Sequence, residues 1–245
     1  MVEVIDHYAY WNKNRSKDEN LKIRELNSLQ IISALKNKKT FLDAGCGNGK
    51  FMLALRQIRP DLILKGVDYS RREVMEAKKH GLAVSQMNFE EGIKLKSNSF
   101  DIVYAGEIIE HLYNPDLFLS EINRILKKDG YVIITTPNLL AWFNRILALC
   151  GIQPLFLEPS TKSKLVGSGI LARLKKESTP VGHVRIFTLQ ALKDLLAMNG
   201  FSIINIKGNP YQEGFPPQIL FLDKIASYLS PKIGGQFIIL AKKIQ

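Results

Sequence analysis

Apolar and polar positions change period repeatedly along this chain. Leu21, Leu26, Leu29, Ile32 and Leu35 recur at helical intervals, and the Ser16–Glu19 spacing predicts a capping box that opens this first helix. Thr40 to Asp43 then reads as a short strand running into a glycine cluster. A helix is predicted over Lys50 to Ile58, a strand over Ile63 to Val67, and a helix capped by Ser70 and Glu73 that stops at His80-Gly81. Strands follow at Leu82 to Met87 and Phe100 to Ala105. Asn114, Pro115 and Asp116 mark the next helix start, and Lys127, Lys128 and Asp129-Gly130 its expected end. Tyr131 to Thr136 is nearly all β-formers. Thr188 caps a helix with Leu189, Leu192, Leu195 and Leu196 on one face, stopped at Asn199-Gly200. Phe201 to Ile206 and Gln236 to Ala241 are expected to pair antiparallel at the sheet edge. Strands alternating with helices predict a mostly parallel, doubly wound α/β sheet in three layers.

At 245 residues, the length suits one domain. A helical lid is expected over 1–37, and insertions over 139–185 and 208–234. The aromatic stretch His7-Tyr8-Ala9-Tyr10-Trp11 belongs to that lid or straps the core. Two cysteines, Cys46 and Cys150, build no disulfide framework and suit a reducing cytoplasm. No secretory leader pattern opens the chain, and no run of ~18 apolar residues exists.

The net charge is +11. Residues 139–185 carry seven basic residues against two acidic ones. This segment also holds Leu139, Leu140, Trp142, Phe143, Ile146, Leu147 and Leu149. Apolar and basic character together over 139–176 predict either a solvated cover for the sheet, a greasy acceptor pocket, or peripheral contact with a membrane. No aromatic-and-basic module for RNA is present, so a small or lipid-like acceptor is expected rather than nucleic acid.

The strongest chemical signal is Asp43-Ala44-Gly45-Cys46-Gly47-Asn48-Gly49, between a strand and a helix. Glycines there let backbone turn sharply and approach a ligand closely. Lys50 occupies the third glycine position of a dinucleotide fingerprint, which argues against nicotinamide binding. Asp68 ends the second strand, where an acid accepts hydrogen bonds from ribose hydroxyls. Tyr69 beside it is placed to cover an adenine face.

Taken with Phe100-Asp101-Ile102-Val103 and Leu126-Lys127-Lys128-Asp129-Gly130-Tyr131, these residues resemble the successive motifs of class I S-adenosylmethionine-dependent methyltransferases. The resemblance spans about residues 38–140. It implies a Rossmann-like seven-stranded sheet with an antiparallel last strand, and strands one and four at the switch point. It implies that Gly45, Gly47 and Gly49 approach the methionine part of the cofactor and that Asp68 holds the ribose. Asn88 stands near the expected adenine amine and Phe89 at the adenine pocket. Asp43, Cys46 and Ala105 complete the expected lining.

Methyl transfer from a sulfonium needs alignment and a dry site rather than a covalent nucleophile. A hydroxyl acceptor must also lose a proton. Glu107-Ile108-Ile109-Glu110-His111 follows strand four, and positions i, i+3 and i+4 share a side in a helical turn. Glu107, Glu110 and His111 are therefore the expected catalytic groups and a candidate set for a divalent metal. Their spacing resembles the Glu-x-x-Glu-His of ubiquinone-pathway O-methyltransferases and small-RNA 2′-O-methyltransferases. His111 as a base without metal is the alternative. His183 is expected to return to the site as ligand, substrate contact or buried structural residue. Two other readings of the chain stand beside transfer to a hydroxyl: a cofactor-binding regulatory protein without turnover, and a nicotinamide-dependent oxidoreductase.

Overall fold

The computed structural model describes residues 21–174, 178–212 and 215–244. The Ser16 cap and the His7–Trp11 aromatics lie outside them. In chain order the described elements are α1 (Ile23–Ala34), β1 (Thr40–Ala44), α2 (Lys50–Ile58), β2 (Ile63–Asp68), α3 (Arg71–Lys79), β3 (Val84–Gln86), β4 (Phe100–Gly106), α4 (Pro115–Ile125), β5 (Leu126–Pro137), α5 (Trp142–Leu149), α6 (Leu189–Met198), β6 (Phe201–Asn209), α7 (Pro217–Leu229) and β7 (Gln236–Lys243). Short 3₁₀ segments cover Phe89–Glu91, Ile109–His111 and Gly169–Leu174.

The strands form one seven-stranded sheet in the order β3-β2-β1-β4-β5-β7-β6. All pair in parallel except β7, which runs antiparallel to both β5 and β6. The chain thus reverses its winding between β1 and β4, and in doubly wound sheets ligands bind beyond the carboxyl ends of strands at such a point.

Each sheet face is sealed by its own apolar cluster. Phe118, Leu119 and Ile122 of α4 and Leu192 and Leu196 of α6 pack on one side with Val103 and Ile134. Leu29 and Ile32 of α1 and Phe51 and Leu55 of α2 pack on the other with Phe41 and Ile102. Burial on both faces explains why the inner strands read as continuous apolar runs.

Two boundaries differ from the sequence expectation. The described first helix begins at Ile23, not Ser16, with the Lys22 amide donating to Glu25 Oε2 at 2.6 Å. Helix α4 ends at Ile125, so Lys127 and Lys128 are strand residues rather than its last turn. Fully buried Leu126 pairs with Phe100, and the register shifts before Ile102 meets Tyr131. Burying a leucine stabilises by about 2 kcal/mol, more than the few tenths to one kcal/mol typical of a lysine at an exposed helix end. Lys127 instead reaches Asp101 at 2.9 Å. Asp129, at φ 60°, turns the chain within this irregularity.

Candidate functional site

Strand β1 is short, and the chain cannot stay extended beyond it. Gly45, Gly47 and Gly49 all sit at positive φ, at 90°, 51° and 81°. Side chains disfavour that region. Space forbids them too: a Cβ on Gly45 would overlap Ile108, and one on Gly49 would overlap Leu82. The loop is tied to β2. Gly45 and Cys46 amides donate to Val67 O at 2.8 and 3.0 Å, and the Gly47 amide donates to Asp68 Oδ2 at 2.8 Å. Asp68 Oδ1 accepts from the Ser70 amide at 2.8 Å. A carboxylate offers about four acceptor positions, so Asp68 suits the ribose diol while shaping the loop.

Other expected lining residues are placed unevenly. Asp43 is buried at the end of β1, where burial and then the Asp68 charge raise its carboxyl well above the usual range. Ala105 is buried in β4. The Cys46 side chain lies near Gly66, its Sγ donates to Gly47 O at 3.6 Å within the loop, and burial pushes its thiol up. Tyr69 is half-buried directly after Asp68. Asn88 Oδ1 accepts from the Glu90 amide at 3.1 Å, and its amide nitrogen donates to Glu91 Oε1 at 3.1 Å. The Phe89 ring is buried edge-on to Phe118, 5.1 Å between centroids, which puts its face in the core.

Beyond β4, the chain bends at Glu107, a non-glycine residue at φ 56°. Such strain persists where surroundings enforce it. Here the Glu107 amide donates to Thr135 O at 2.9 Å. Its carboxylate accepts from Thr135 Oγ1 at 3.0 Å and Gln236 Nε2 at 2.8 Å, with Arg24 Nε 4.0 Å away. The 3₁₀ turn then buries Glu110 and His111. Glu110 Oε2 accepts from Thr136 Oγ1 at 2.9 Å, while Oε1 has no hydrogen-bond partner among the described residues. Burial, and next the Glu107 charge, push the Glu110 carboxyl well above its ordinary range.

His183 arrives from the far side of the insertion. The Glu110 carbonyl accepts the Val184 and Arg185 amides at 2.9 and 3.0 Å, which pins this segment to the turn. The His111 and His183 rings lie 5.0 Å apart. His111 Nδ1 lies 3.0 Å from Gly182 O, and His183 Nδ1 lies 3.1 Å from Phe156 O. A carbonyl at Nδ1 fixes the tautomer with its proton there and turns the Nε2 lone pair outward. Burial holds both imidazoles down at about 4, with His183 adding to the shift of His111. They are therefore neutral at physiological pH. A recess of about 150 Å³ opens beside His183, lined in part by Phe156, Glu158 and Arg185.

The candidate metal set changes accordingly. Glu110, His111 and His183 bring one ligand atom each within 4.8 Å of one another. Glu107 is outside that group, because its oxygens are taken by Thr135 and Gln236 and it faces Arg24. One carboxylate and two imidazoles suit a divalent transition ion, and a cation there would give the buried Glu110 Oε1 a partner. Several contributors carried no local sequence signal. Arg24 comes from a surface-like helix, Thr136 and Gln236 from strands, and Tyr211 from the second insertion. Tyr211 is half-buried against Phe156, 4.6 Å between ring centroids, and desolvation raises its phenol to about 12.

Comparison with known proteins agrees with the fold and gives the family. Residues 35–167 match the model of the family described as methyltransferase domain. A ubiquinone biosynthesis O-methyltransferase of Bartonella bacilliformis is 29% identical over 189 residues, covering 75% of this chain and 66% of that protein. Another, of Pelagibacter ubique, is 32% identical over 108 residues, 42% of this chain and 44% of that protein. The matches thus span between under half and about two thirds of these relatives' lengths. A crystal structure of an S-adenosylmethionine-dependent methyltransferase from Archaeoglobus fulgidus superimposes with a TM-score of 0.61 at 19% identity, covering 97% of this chain and 99% of that one. At that identity, it is the fold that is shared.

Proposed function

Because this chain belongs to the class I S-adenosylmethionine-dependent methyltransferases, we propose that it passes the sulfonium methyl group to a hydroxyl oxygen of a small or lipid-like acceptor. The observation carrying the choice of oxygen is the convergence of buried Glu110 and His111 with half-buried His183 beyond the end of β4. A nitrogen acceptor with a free lone pair has no need of such a group.

S-adenosylmethionine supplies the electrophilic methyl carbon. The glycine loop lies along its methionine part and Asp68 holds its ribose, and the Gly45–Ile108 contact sets the loop directly against the acceptor turn. In transfer, the acceptor oxygen forms a bond to the methyl carbon and the carbon–sulfur pair returns to sulfur, leaving a thioether. The hydroxyl proton must leave too. An imidazole titrating at about 4 is a weak base at neutral pH. A divalent cation, when bound, supplies the charge that lowers the pKa of a hydroxyl. Glu110, His111 and His183 are the residues that would hold it, since a carboxylate and two neutral imidazoles suit such an ion. Unaided base catalysis by His111 is the second reading, and chelation separates the two.

No helix among the described residues is long and apolar enough to cross a membrane. Cys46 and Cys150 are both unpaired, and Cys150 is exposed. We place the protein in the cytoplasm on the ground of that free thiol, since a reducing compartment keeps it so. The test of the function uses methyl-labelled cofactor with a panel of phenols, catechols and hydroxylated lipids, with and without chelator, on the natural chain and on Glu110→Gln. Label on oxygen that disappears with chelator supports the cation reading. Chelator-insensitive label on oxygen leaves His111 acting alone. Label on nitrogen or carbon, or full turnover by Glu110→Gln, would overturn the assignment.

A further inference from the structure

Helix α7 is built inside out. Its inward face carries Asp223, Ala226 and Ser227. Its outward face carries Phe221, Leu222, Ile225, Tyr228 and Leu229, of which Tyr228 is 90%, Leu229 70% and Phe221 62% exposed. These positions follow i, i+1, i+4, i+7 and i+8, one continuous stripe along a helix about 20 Å long. Single exposed apolar residues are ordinary, but a stripe of this kind marks a contact surface.

The inward face explains why the helix holds this pose. Asp223 Oδ1 accepts from Trp142 Nε1 at 3.0 Å and Oδ2 from the Tyr211 amide at 2.6 Å. Helix α5 is bound to the same unit. The Trp142 amide donates to Ile233 O at 2.9 Å, and Arg145 donates to Lys232 O at 3.2 Å. α5 adds Ile146 and Leu149, the latter 89% exposed.

Charge identifies the occupant of the stripe. From Phe215 to Ile244 the sole acid is Asp223, and it is buried. Lys224 flanks the stripe on the same helix, Lys232 follows just after its end, and Arg145 of α5 bonds the Lys232 carbonyl, all three exposed. None of the three has an acidic partner among the described residues. A second copy docked about a twofold axis would bring these cations toward each other. An anionic lipid surface complements both parts, with the aromatic and aliphatic side chains in the acyl boundary and the cations among headgroups.

We propose that α7, flanked by α5, docks this protein on an anionic lipid surface. The inference is independent of the acceptor chemistry. It also moves the expected membrane contact from 139–176 alone to the second insertion. The experiment is vesicle flotation with the full chain, on phosphatidylcholine alone and with about one third phosphatidylglycerol added. The expected result is binding to the anionic vesicles only. Binding should fall about tenfold in Phe221→Ser with Tyr228→Ser, and about tenfold in Lys224→Glu with Lys232→Glu. S-adenosylmethionine titration of each variant checks that the fold is intact, since no altered side chain reaches the cofactor loop. No binding to anionic vesicles would overturn the proposal, as would equal binding by the variants. So would a self-association, seen by sedimentation velocity, that the Phe221 and Tyr228 substitutions abolish.

Discussion

The turn after β1 and the turn after β4 touch, through Gly45 and Ile108, yet their polar atoms are treated in opposite ways. In the first, the backbone amides of Gly45, Cys46 and Gly47 and both Asp68 oxygens have partners. The second buries a carboxyl oxygen with no partner among the described residues, and an imidazole held neutral beside the half-buried ring of His183. A satisfied loop is a finished receptor, because its shape needs no ligand to complete it. An unsatisfied cluster is unfinished, and leaving a buried acceptor unpaired costs about 1–3 kcal/mol until something binds. Under the proposed function, the contrast separates the turn expected to hold the cofactor from the turn proposed to handle the acceptor.

The contrast breaks most sharply at Glu110. Glu110→Gln should lower methyl transfer by at least about a hundredfold and leave S-adenosylmethionine affinity unchanged by calorimetry. A parallel loss of affinity would mean that the two turns are one unit. Next is Asp68→Ala, expected to weaken S-adenosylmethionine binding about thirtyfold, because a charged acceptor to the ribose and the Gly47 anchor are lost together. Gly45→Ala tests the contact itself. The strained φ and the overlap with Ile108 should cost about 2 kcal/mol in urea unfolding. The smallest effect lies away from both turns, at Asp101, where the loop-bearing strand β1 begins. Burial raises its carboxyl, but Lys127 Nζ, Thr40 Oγ1 and the Lys39 and Thr40 amides outweigh this and hold it at about 2. A value below the ordinary 3.8 means that its stabilisation is full above about pH 4 and fades as pH falls toward 2. Asp101→Asn should therefore cost about 1 kcal/mol at neutral pH, and the difference from the natural chain should vanish in acid.

How much the chain discloses divides in the same way. The glycine loop, Asp68 and the Ser70 and Asn114 caps are local devices, read within a few residues of one another, and the structure places them as expected. The Glu-x-x-Glu-His spacing is a weaker guide. It presumes a helical turn, whereas the chain enters a left-handed bend at Glu107 and only then a 3₁₀ turn. That bend sends Glu107 to Thr135 and Gln236, 28 and 129 residues away in sequence, and admits His183 in its place. Arg24, Thr136 and Gln236 meet at this turn only because the sheet places β5 beside β4 and β7 beside β5, with α1 packed across its face. No spacing encodes such meetings. The end of α4 is hidden for a related reason, since a register shift with β4 overrides a run of residues that locally suits a helix end.

One residue of the first insertion bears on how far this architecture can be trimmed. Glu158 accepts three consecutive amides, from Val181 at 2.7 Å, Gly182 at 2.7 Å and His183 at 3.0 Å. It works as a clasp closed across more than twenty residues, fastening the strap that carries both the His111 carbonyl partner and His183. The intervening loop can vary in length while the clasp holds. Excising the whole insertion to make a minimal module would leave the glycine loop intact and unfasten the strap, parting His183 from His111 and removing the carbonyl that orients the His111 ring.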